Sequence, residues 1–154
     1  MYRTHKLNTM ANLVGGLLMA FTGFCAMEVH RANAFGQGIS MPFWLSLVGA
    51  FCFFIFGWNS LGHNAGFGGV RSLTSGFRAM LLALMATCIV FGMIFIGGQL
   101  IAGFYLDPFK TIFDWFRVSY EYFLDTFTLP VWAVLILGSL ISGRLTGIAN
   151  WRWR

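Results

Sequence analysis

The sequence predicts an all-α integral membrane protein: four transmembrane helices in an antiparallel up-down arrangement, plus one amphipathic interfacial helix between spans three and four. Three observations carry this reading. Hydrophobic residues make up 58% of the chain and charged residues only 10%, against about 25% charged in an average soluble domain, which is too few to cover a water-facing surface. Four apolar runs are each long enough to cross a hydrocarbon core. The carboxylates are also segregated, with Asp107, Asp114, Glu121 and Asp125 in one segment between two of those runs and only Glu28 elsewhere. Backbone in lipid must satisfy its own hydrogen bonds, so the runs are read as helices and residues 1–154 as a single membrane domain.

In chain order, a short basic tail with Arg3, His5 and Lys6 leads into a first span over about 10–27, about 27 Å of helix at 1.5 Å per residue. Basic residues, an apolar run and Ala32-Asn33-Ala34 before Phe35 also fit a secretory signal with a small-residue cleavage site. Glu28, His30 and Arg31 intervene, and a retained span is the preferred reading. Residues 28–40 read as a polar link broken by Gly36 and Gly38, and the second span follows over about 42–61 with Pro42 in its first turn. The glycine-rich stretch 62–69 lacks the Lys-Ser/Thr ending of a phosphate loop and follows no strand, so it reads as a headgroup-level turn. The third span, about 80–106, exceeds what a bilayer needs and is expected to tilt, or to kink at Gly97-Gly98. Pro130 opens the fourth, about 129–146.

Residues 108–127 form the expected interfacial helix. Asp107 followed by Pro108 is a strong start: the carboxylate can cap free first-turn N–H groups, and proline has no N–H there to leave unsatisfied. At 100° per residue Asp107, Lys110, Asp114, Arg117, Glu121 and Asp125 share one arc, and aromatic and aliphatic residues cover the remainder. Such a helix fits a membrane surface or a partner's groove, charged stripe outward. Its aromatic face, with Phe109, Phe113, Trp115, Phe116, Tyr120 and Phe123, is the expected partner-binding surface.

Charge orients these spans. The side holding both termini and the second loop carries Arg3, Lys6, Arg71, Arg78, Arg144, Arg152 and Arg154; the other carries Arg31, Lys110, Arg117 and all five acids. The bias puts both termini in the cytoplasm, in a bacterial inner membrane or an equivalent organellar one. Tryptophans agree, with Trp44, Trp115 and Trp132 near one boundary and Trp58, Trp151 and Trp153 near the other. Small residues offer packing faces: Gly16 and Ala20 on span one, Ala79, Ala83 and Thr87 on span three, and Ser139, Gly143 and Gly147 on span four.

Chemistry is sparse. No charge sits mid-span, which argues against a proton pump or ion-coupled carrier. The net charge of +5 is spread along membrane flanks without a basic run, so no nucleic-acid partner is expected. Cys25, Cys52 and Cys88 lie singly in apolar runs and read as small hydrophobes, with no metal site or disulfide expected. His63, beside Asn59 and Asn64, is the candidate cofactor ligand; no companion histidine is expected on its side except His5. Glu28-Val29-His30-Arg31-Ala32-Asn33 resembles the basic first-loop motif of four-span glutathione-using membrane enzymes, but lacks their arginine density, and that activity is not carried over. The expected function is a non-catalytic subunit of a larger inner-membrane assembly of the secretion, conjugation or energy-transducing type. It would have other membrane subunits and lipid as partners and no cofactor. A small homo-oligomeric pore or carrier is the alternative, and a haem, quinone or pigment carrier at His63 the third reading.

Overall fold

The computed structural model describes residues 9–38, 40–61, 69–103 and 107–152, and among these every regular element is helical. The elements are α1 (Thr9–Gly36), α2 (Trp44–Phe56, continued by a π-helical turn, Gly57–Leu61), α3 (Gly69–Ile101), α4 (Pro108–Asp125) and α5 (Leu129–Arg152). Among the described residues, four stretches are long and apolar enough to cross a membrane: Met10–Gly36, Trp44–Leu61, Ser72–Ile101 and Leu129–Asn150.

Several boundaries differ from those expected, each for a local reason. α1 runs through the supposed polar link to Gly36 because nothing between Met27 and Phe35 breaks a helix. Glu28 and Arg31 instead pair one turn apart at 2.6 Å, and the Arg31 guanidinium lies 5.5 Å from the Phe43 ring centre. The helix ends in a turn in which Gln37 N donates to Ala34 O and Gly38 N to Phe35 O, with Gly38 at φ +81°. The Ala32-Asn33-Ala34 segment thus lies inside α1, where Ala34 is buried and Asn33 Nδ2 donates to Thr128 Oγ1 at 3.4 Å. α3 begins at Gly69 rather than Met80 and passes unbroken through Gly97 and Gly98. α5 continues beyond Thr146 to Arg152, carrying Asn150 into a buried position.

α1, α2, α3 and α5 close a ring in which α1 packs on α2 and α5, and α3 packs on α2 and α5; α4 docks on α3 from outside. Small residues set the spacing. On the α3–α5 seam, Ser72 Oγ donates to the Gly143 carbonyl, and a Cβ built on Gly143 would lie 2.5 Å from the Ser72 carbonyl oxygen. Gly76 meets the Ser139 carbonyl in the same way. Between α1 and α5, Gly15 faces Thr146, Gly138 receives Thr22, and Thr22 Oγ1 lies 3.4 Å from Ser142 Oγ. On the α1–α2 seam Gly23 accommodates Phe53, and Gly57 accommodates Met19.

Along much of α5 burial is inverted relative to a water-soluble protein. On α5, Ser139, Ser142, Thr146 and Asn150 are no more than 2% exposed, while Leu137, Ile141, Leu145 and Ile148 are 43% to 61% exposed. The buried hydroxyls do not waste their donors: Ser139 donates to Ile136 O and Thr146 to Ser142 O. Polar and small residues inward, large apolar residues outward, is the distribution expected when lipid surrounds the bundle and backbone proximity holds it together. With the four long apolar helices, it makes the chain an integral membrane protein.

The α3–α5 seam yields a stability test. Gly143→Ala forces a backbone shift and lowers stability by about 1–3 kcal/mol. Gly98→Ala, whose Cβ meets nothing within 4 Å, is neutral or stabilising by up to about 1 kcal/mol. Unfolding in detergent would read both, and equal effects would contradict the close approach.

Candidate functional site

The largest departure from simple lipid-facing helices is α4 and the space beneath it. Its start is built by Asp107, which stays extended (φ −107°, ψ 116°) while its carboxylate accepts from Phe109 N at 3.0 Å and Pro108 occupies the first helical position. The Asp107 carbonyl also accepts from Thr111 N and Thr111 Oγ1, at 3.1 and 2.9 Å. At the far end Thr126 Oγ1 donates to Phe123 O, and the chain turns directly into α5.

Three faces result. The first docks on α3: Trp115 donates its indole N–H to the Ile89 carbonyl at 3.1 Å, and Tyr122 meets Phe91 edge-on at 6.0 Å between ring centres. Ser119 packs where Gly92 leaves no room for a Cβ. The second face is charged, with Arg117 bridging Asp114 at 3.2 Å and Glu121 at 3.8 Å. The pairs are surface-exposed on the arginine side, so they order the face more than they stabilise the fold. The third face, continued into the following turn, holds Phe109, Ile112, Phe113, Phe116, Tyr120, Leu124 and Phe127, each 47% to 78% exposed.

The six residues expected to form one partner surface are therefore divided. Phe109, Phe113, Phe116 and Tyr120 lie together on the exposed face. Trp115 is turned to α3, and Phe123 packs on the bundle core and against Phe127 at 5.1 Å, so these two belong to the docking side. Ile112, Leu124 and Phe127 take their places outside. Of the expected helix-packing residues, Gly16 abuts Phe54, Gly143 and Gly147 abut Ser72, Ser139 is fully buried, and Ala20 is half-buried. His63 lies outside the described residues.

Beneath α4 is a small cavity of about 20 Å³, where α1, α2, α3 and α5 meet Tyr122 and Thr126. That volume is roughly one water or one ion. Met27, His30, Cys88 and Phe91 are on its wall. His30, read from sequence as part of a solvated link, is 7% exposed inside α1, and its Nδ1 has no hydrogen-bond partner among the described residues. Burial, and secondarily the Asp125 charge, push the Tyr122 phenol above its ordinary range, so it stays protonated over the wall of this cavity. No group of three or more His, Cys, Asp or Glu is assembled among the described residues. This site is not legible from sequence, because His30 and Cys88 are far apart in the chain and each is alone in its run.

Compared with protein-family models, curated proteins and solved structures, the chain matches none.

The cap is directly testable. Asp107→Ala removes the acceptor for Phe109 N and loosens the first turn of α4 by about 1 kcal/mol. Faster amide exchange at Phe109 is the expected readout; unchanged exchange would show that the first turn holds without the carboxylate.

Proposed function

We propose that this chain is a non-catalytic integral membrane subunit of a larger inner-membrane assembly, and that α4 is the element through which it joins its neighbours. In this reading α1, α2, α3 and α5 cross the bilayer in alternating directions, with both termini cytoplasmic, and α4 lies at the opposite membrane surface. The pairing order supports alternation: Gly15 with Thr146, Thr22 with Gly138, and Asn33 with Thr128 run in opposite senses along α1 and α5. The seven-to-three distribution of basic residues supports the orientation.

The observation that carries the function is the third face of α4. A helix already docked by one side still presents seven large apolar side chains in a continuous strip, four of them aromatic phenylalanines. Aromatic anchors are over-represented at the energetic centres of interfaces. The charged arc beside the strip gives it an orientation: charges to water, strip towards lipid or a neighbouring membrane helix. The assembly is of the secretion, conjugation or energy-transducing type. A homo-oligomeric pore would draw on the polar stripe of α5, but Ser139 and Ser142 are packed against α1 and α3 rather than lining a passage.

Replacing Phe113 and Phe116 together by Ser is expected to release the protein from its complex in mild detergent while leaving membrane insertion intact. Co-purification at the wild-type level would overturn the assignment of the interface to α4.

A further inference from the structure

We propose that the cavity beneath α4 is a binding site for a single monovalent soft metal ion, Cu(I), held by His30, Cys88 and Met27. Met27 and His30 are one turn apart on α1, and both line the cavity; Cys88 reaches it from α3. His30 is more than nine-tenths buried, and its Nδ1 is sealed from solvent with no hydrogen-bond partner among the described residues. A buried imidazole nitrogen without a partner carries a desolvation cost that a ligand in the cavity would remove. Cys88 is a free thiol, and the volume of about 20 Å³ admits an ion but not an organic cofactor.

The donor set selects the ion. Imidazole, thiol and thioether are soft or borderline donors, which favour Cu(I); carboxylates, which would favour a harder cation, are absent from the cavity wall. Charge is compatible with the same ion. Binding exchanges the Cys88 proton for the metal: the S–H bond breaks, an S–Cu bond forms, one proton leaves to solvent, and no electron moves. Cu(I) and one thiolate sum to zero among the groups that line the cavity, and the nearest acid, Asp125, lies outside its wall. Tyr122 and Thr126, on and just after α4, complete the wall, so metal here would brace the helix that presents the exposed aromatic strip. The site stands or falls independently of what that strip binds.

The test uses the full chain in detergent, anaerobic, titrated with Cu(I) against bicinchoninate as competing chelator. Wild type should take one Cu(I) per chain, and its X-ray absorption spectrum should show one nitrogen and two sulfur scatterers. His30→Ala and Cys88→Ala should each weaken binding by about tenfold or more, while Cys25→Ala, at a cysteine off the cavity wall, should bind like wild type. The spectrum on wild-type protein decides the matter should either cavity variant fail to fold. No competition with the chelator, equal loss in Cys25→Ala, or a shell of oxygen scatterers would overturn the proposal.

Discussion

The structure depends on how closely the α3 and α5 backbones approach. Ser72 and Gly76 on one helix meet Ser139 and Gly143 on the other, with a side-chain hydroxyl donating directly to a glycine carbonyl. In water a four-helix bundle is held by burying large apolar side chains. In lipid that drive is lost, because the acyl chains solvate leucine as well as a core does. What remains is dispersion between closely opposed backbones and a small number of hydrogen bonds. This constraint accounts for several features together: glycines on three of the ring's seams, serine and threonine in the interior, and many of the leucine, isoleucine and phenylalanine side chains outside.

The same constraint explains why α4 differs. It cannot join the ring, because its charged arc could not be buried without partners. It attaches instead through one tight contact at Gly92 and Ser119, an indole hydrogen bond to a helix carbonyl, and the Tyr122–Phe91 ring pair. Docking by a narrow side leaves the aromatic strip uncovered. A cavity forms where Tyr122 and Thr126 meet the ring, and His30 and Cys88 line it from different helices. The outer strip and the inner cavity are consequences of one placement.

Much of this was legible in the sequence because membrane helices are written in composition. The all-helical class and the four spans follow from apolar runs and scarce charge, and Asp107-Pro108 marks the start of α4 within a residue. Helix ends were less legible. α1 and α3 start or end beyond their apolar runs because polarity alone does not stop a helix: Glu28–Arg31 pairing and the residues from Val70 to Arg78 are compatible with one. The partner face was half legible for a geometric reason. Periodicity separates charged from apolar, but the apolar arc of α4 spans both the docking side and the free side, and nothing in the sequence divides Trp115 from Phe116. Glycine seams other than those at Gly16, Gly143 and Gly147 were missed because a glycine's neighbour is decided by tertiary packing. The His30 cavity was missed for the same reason, compounded by reading residue 30 as part of a loop.

The proposed contact is between the free strip of α4 and another membrane protein. The most direct measurement places a photo-crosslinking amino acid at Phe113 in native membranes and identifies the adduct by mass spectrometry. Such a contact would give a crosslink to one foreign membrane subunit, at a single site on a helix of that protein. Crosslinks to lipid alone, or only to a second copy of this chain, would contradict it.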